Sequence, residues 1–65
     1  MRGDSFVDSG TLVREAGGFV LRRDSGGAVL LELNRLPVDH VEKKVFVTGI
    51  YVEAGRVEVR ALRPA

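Results

Sequence analysis

Five short apolar runs, each closed off by glycine, proline or charged turn residues, occupy most of a 65-residue chain. They are Thr11–Ala16, Phe19–Arg23, Ala28–Leu33, Val45–Val52 and Arg56–Leu62. Short runs that alternate apolar with polar residues are the signature of half-buried strands. The segment Leu36–Lys44 breaks that pattern. Pro37 cannot donate to a sheet but suits the first turn of a helix, and Val38 and Val41 fall on one side of such a turn. Asp39 near its start and Lys43 and Lys44 near its end agree with the helix dipole. The predicted order is three strands, one short helix near Pro37–Glu42, then two strands.

A chain this short makes one domain and hides only about 60% of the surface its unfolded form exposes. Natural domains of this size usually gain support from a disulfide, a metal or a partner. No cysteine is present, which excludes disulfides and thiolate metal sites. Either the barrel is well formed or the chain borrows burial from a neighbour. No run approaches the roughly 18 apolar residues of a membrane span. Met1–Ser5 is polar, leads into no signal-like segment and is expected to be a disordered tail before a single domain over 6–65. A cytoplasmic location is therefore expected. Ten Lys and Arg against nine Asp and Glu give a net charge of +1, without the basic excess of a duplex-DNA binder.

Phe6 and Val7 are placed to begin a long first strand, with Ser9-Gly10 as the point where it bends. Leu12 and Val13 are both apolar, so alternation does not say which points inward. Gly17-Gly18 and Asp24-Ser25-Gly26-Gly27 are turn signals that make the first three strands a meander. Gly49, inside the fourth run, suggests a bend at a barrel corner. Alternation assigns Phe19, Leu21, Val29, Leu31, Val45, Val47, Val57 and Val59 to the interior. Val20, Leu30, Phe46, Ile50 and Val52 fall on the outside.

Meander, short helix and hairpin, in that order, resemble the oligonucleotide/oligosaccharide-binding (OB) fold. An SH3-like barrel would place its helical turn one element later, before the last strand. Lys44-Val45-Phe46-Val47-Thr48-Gly49-Ile50-Tyr51-Val52 with Gly55-Arg56-Val57-Glu58-Val59 looks like the last two strands of small bacterial OB domains. Gly10–Glu15 with Gly17–Arg22, and Asp24–Gly27 with Leu30–Leu33, resemble an uncharacterised bacterial OB-like family. Those relatives often carry a glycine just before the basic pair of the fourth strand, where this chain has Glu42. The resemblance implies an all-β, five-stranded OB-like barrel with one short helix between strands three and four. It lends no catalytic residues, because a shared fold does not carry a shared function.

The residues themselves argue against catalysis. His40 is the single histidine, beside Asp39 and near Glu42, and one imidazole cannot build a zinc site. Ser5, Ser9 and Ser25 have no plausible histidine partner. Glu15, Glu32, Glu53 and Glu58 are scattered over solvated strand faces, and a barrel this small has no deep pocket to shift their pKa values. Neither glycine pair leads into a phosphate-binding helix. No enzyme activity, metal or cofactor is expected.

Binding is the remaining class. On the outer surface that OB domains use, the candidate ligand residues are Arg14, Arg22, Tyr51 and Arg56. Arginines with an exposed ring would make a weak single-stranded nucleic-acid site, with Glu32 and Glu53 opposing the polyanion. The other candidate surface is apolar: Val20, Leu30, Phe46 and Ile50 share the outward side, and a contiguous cluster on so small a protein would be an interface. The expectation is a small interaction module that self-associates or meets a protein partner, with single-stranded nucleic acid as the alternative ligand.

Overall fold

The apolar runs become β1 (Ser5–Glu15), β2 (Gly18–Arg23), β3 (Ala28–Glu32), β4 (Lys44–Glu53) and β5 (Arg56–Pro64). The computed structural model describes residues 3–15, 17–34 and 40–65. The strands close into a barrel in the order β1-β2-β3-β5-β4. All neighbours are antiparallel except β3 and β5, which close the sheet through a parallel pairing of Leu30–Glu32 with Arg56–Glu58. The core is Phe6, Leu12, Phe19, Leu21, Val29, Leu31, Val45, Val47 and Val57. Seven of the eight expected interior residues are in it; Val59 is only half-buried and packs against its margin. The ambiguity at Leu12-Val13 resolves with Leu12 fully buried. Among the described residues no helix is long and apolar enough to cross a membrane.

One strand serves both halves of the barrel. The first part of β1 pairs with β4 and the second with β2, and Gly10 lies opposite both Val45 and Arg23. The backbones approach so closely there that a Cβ on Gly10 would stand 2.1 Å from the Arg22 carbonyl oxygen. Gly49 is the counterpart on β4. Its Cβ would lie 2.2 Å from the Glu58 carbonyl oxygen, and the β4–β5 register shifts between Thr48 and Gly49. Each glycine lets a strand bend without a side chain caught between two main chains.

The expected short helix is not seen. Residues 35–39 lie outside the described part, and His40–Lys43 form a turn in which the Lys43 N–H donates to the His40 carbonyl. Glu42 takes φ of 62°, a left-handed conformation that ends any helix. This turn lays the chain onto β1: Glu42 N–H donates to the Leu12 carbonyl, and Leu12 N–H to that of Lys43. A glycine, as in the relatives the sequence resembles, would take this conformation freely; Glu42 takes it with a Cβ penalty. No helical turn precedes β5 either, since Ala54-Gly55 joins β4 directly to it. Of the expected tail Met1–Ser5, Met1 and Arg2 lie outside the described residues. Gly3 N–H donates to the Tyr51 carbonyl, Tyr51 N–H donates to that of Asp4, and Ser5 begins β1.

A polar clasp holds the β2–β3 turn against β1. Asp8, 17% exposed, accepts hydrogen bonds from Arg23 Nε at 2.7 Å, its neighbour Ser9 N–H at 2.7 Å and Ser25 Oγ at 3.2 Å. The Arg23 guanidinium lies 5.5 Å from the Phe6 ring centroid, and Tyr51 meets Phe6 edge-on at 5.5 Å. The bond from Arg23, reinforced by the Ser9 N–H, holds the Asp8 carboxyl below its ordinary value of 3.8.

Three outcomes follow from this geometry. Gly10→Ala and Gly49→Ala should each lower unfolding free energy by about 1–3 kcal/mol in urea titrations, as overpacking against main chain does. Gly18→Ala, whose Cβ would meet nothing closer than 3.9 Å, should change it by less than about 0.5 kcal/mol. Glu42→Gly should raise it by about 0.5–1 kcal/mol, because removing the left-handed strain outweighs the added chain entropy. Finally, Asp8→Asn should cost about 1–3 kcal/mol at pH 7. A carboxyl with a depressed folded pKa stabilises fully above its unfolded pKa and loses that contribution as pH falls through the folded value. The deficit of Asp8→Asn, followed by denaturation at stepped pH, should therefore shrink below about pH 4.

Candidate interaction surface

Closing the sheet sorts the outward side chains onto separate faces. On β1, β2 and β3 one cross-strand row reads Val13, Val20, Leu30, with Arg56 of β5 next in line beside Leu30. Val13 and Val20 are half-buried, and Leu30 is 36% exposed. An open groove of about 460 Å³, lined by Glu15, Val20, Arg22, Arg23, Gly27 and Ala28, runs beside this row. Phe46 and Ile50, also expected in the apolar cluster, lie elsewhere. They are on β4, which borders β1 and β5 but neither β2 nor β3. The outward set thus divides into Val20 with Leu30 on one face and Phe46 with Ile50 on another.

The candidate ligand residues divide too. Arg22 pairs with Glu15 at 3.3 Å, and Arg56 pairs with Glu32 at 3.2 Å and faces Glu53 at 3.7 Å. Both arginines are partly exposed, so these pairs contribute little stability, but each already carries a carboxylate where a phosphate would sit. The Arg56 Nε is buried without a hydrogen-bond acceptor within reach. Arg14 lies 5.9 Å over the Phe19 ring. Tyr51 is turned to the interior side of β4, against Phe6, and offers no free ring face beside Arg22. The arginines of the β2–β3 face therefore have acids beside them and no stacking platform.

The face has an orderly charge pattern along the strands. Arg22 lies two residues beyond Val20 toward one end, opposite Ala28. Glu32 lies two residues beyond Leu30 toward the other end, the same end as Glu15. The Arg22–Glu15 pair spans the Val13–Val20 step, and Arg56, in line with the row, pairs with Glu32, so the apolar row is flanked by ion pairs.

Two features were not read from the sequence. Val7, 63% exposed, stands on the β4 side of β1 opposite Thr48. Arg63 lies across from Phe46 with its guanidinium 5.1 Å from the ring centroid. Alternation alone cannot place Arg63 there, because the shift at Gly49 resets the register of β5. Lys44, two residues before Phe46, reaches Asp24, and Ser9 Oγ donates to the same carboxylate at 3.0 Å. The Lys44 bond, with that of Ser9, holds the Asp24 carboxyl below its ordinary range. His40 is half-buried, and Asp39 lies outside the described residues. Among the described residues no three His, Cys, Asp or Glu side chains gather as a metal site would require.

No curated protein and no solved structure matches the chain. A family described as Protein of unknown function (DUF5818) matches residues 9–65, from the bend of β1 to the end of β5. The span takes in β1 from Ser9 onward, the other four strands and both close-approach glycines, and on that extent the chain belongs to the DUF5818 family.

Proposed function

We propose that this chain is a non-enzymatic interaction module of OB type that acts through the outer face of β1, β2 and β3, and that its partner there is a second copy of itself. The β1-β2-β3-β5-β4 order, the parallel β3–β5 closure and the shared, bent β1 support the OB assignment.

The observation that carries the reading is the apolar row Val13-Val20-Leu30 flanked by the Arg22–Glu15 and Arg56–Glu32 pairs. A two-fold axis through the row brings Arg22 of each copy near Glu15 and Glu32 of the other, so the pairs made within each copy can be exchanged for pairs between copies. Such a surface is complementary to itself, as an isologous dimer requires. A standard interface of about 800 Å² per partner would take roughly a fifth of the chain's 4269 Å² surface, so the association is weak and concentration-dependent. Single-stranded nucleic acid draws less support, because Arg22 and Arg56 are paired and Tyr51 faces inward.

Light scattering across a dilution series tests this. The wild type should move from dimer toward monomer as it is diluted from about 1 mM, and Leu30→Glu should weaken association at least about tenfold, roughly 1.4 kcal/mol. Val7→Glu, a more exposed change on the other face, should leave association unchanged. A wild type that stays monomeric throughout while binding mixed-sequence single strands at about 50 mM salt would reverse the two readings.

A further inference from the structure

A second site lies on the barrel wall away from that face. The outer sides of β4 and β5 enclose a groove of about 230 Å³ lined by Phe46, Thr48, Ala61 and Arg63. Two cross-strand pairs build it, Phe46 opposite Arg63 and Thr48 opposite Ala61. The half-buried Phe46 ring makes an apolar wall, and Ala61 is small enough to leave the space open. Thr48 adds a hydroxyl.

Arg63, like Arg14 over Phe19, rests on a ring without an ion-pair partner among the described residues, but Phe19 is buried whereas Phe46 is half-buried and lines this groove. Arg22, Arg23, Lys44, Arg56 and Arg60 each have a carboxylate within ion-pair distance. Among the described residues, no carboxylate stands that close to Arg63. Its guanidinium rests on the Phe46 ring instead. Stacking on a ring holds the guanidinium plane in place and leaves its N–H edge available, so the fork that binds carboxylates in two-point fashion is positioned but unused. The other cation on this side of β4 is Lys44, already paired with Asp24.

We propose that this groove binds a carboxylate carried on a short apolar stem, as at the C-terminal residue of a peptide. Arg63 takes the carboxylate, Thr48 Oγ donates to one of its oxygens, and the stem lies against Phe46 and Ala61. An apolar wall with one cation selects this chemistry over a polyanion, which would need several cations, and over a neutral chain end, which leaves the guanidinium without a counter-charge. The site is independent of self-association, since Phe46 and Arg63 are not on the β1–β2–β3 face.

N-acetyl-leucine and N-acetyl-leucinamide are matched probes that differ in the charge of the end group. Titrated into ¹⁵N-labelled protein, N-acetyl-leucine should shift the amides of Phe46, Thr48, Ala61 and Arg63 and saturate in the millimolar range. The amide should shift them at least about tenfold less, as loss of a charge-assisted pair implies. Arg63→Gln, an exposed change, should abolish the difference between the probes, and Thr48→Val should weaken acid binding while leaving the remaining spectrum intact. Inorganic phosphate is the control for a bare anion site: equal shifts from phosphate would overturn the assignment of an apolar stem. Equal response to acid and amide, no response to either, or retention of the preference in Arg63→Gln would overturn the proposal itself.

Discussion

The structure depends on close main-chain contact at Gly10 and Gly49. The five-stranded sheet closes because one strand serves both halves, β1 passing from β4 to β2 at Gly10, where it is opposite Val45 and Arg23 together. A Cβ at either glycine would fall inside van der Waals contact with a neighbouring carbonyl. Everything inside follows from that closure. The bend turns Phe6 and Leu12 into one interior although they lie on different halves of the strand, and it brings Asp8 within reach of Arg23.

Closure also decides what the outside can do. In a flat sheet Val20, Leu30, Phe46 and Ile50 would share one surface, since all four alternate away from the core. In a closed sheet outward side chains diverge, and strands that are not neighbours in the order present different faces. The result is two modest surfaces with different chemistry: aliphatic and self-complementary in charge on β1–β2–β3, aromatic with one uncommitted arginine on β4–β5. Rings follow the same division. Phe6 and Tyr51 fill one end of the interior, while Phe46 stays at the surface under Arg63.

Much of the fold was legible because period-two alternation and turn glycines are local signals. Strand positions came within a few residues, and the bends at Gly10 and Gly49 were readable from glycines set inside strand patterns. Less legible was whatever depends on register between distant strands. The division of the apolar cluster needs the closed order, and the seat of Arg63 on Phe46 needs the shift at Gly49. Tyr51 was expected at the ligand surface although its alternation with Val45 and Val47 already placed it inward. The helix expected at Pro37–Glu42 rested on Pro37 and the Val38–Val41 spacing; the described end of that segment is governed instead by Glu42, whose left-handed conformation no propensity rule announces. The departure from glycine at that one position was the sequence signal.

The most direct test of the closed, two-faced architecture is the set of backbone amide shifts in ¹⁵N-labelled protein as concentration is raised from about 20 μM to about 1 mM, a range that spans weak association. Changes confined to Thr11–Arg14, Val20–Arg22 and Ala28–Glu32, with Phe46 and Ile50 silent, are the predicted result. Changes centred on Phe46 and Ile50, or spread over both sets as one continuous patch, would contradict it.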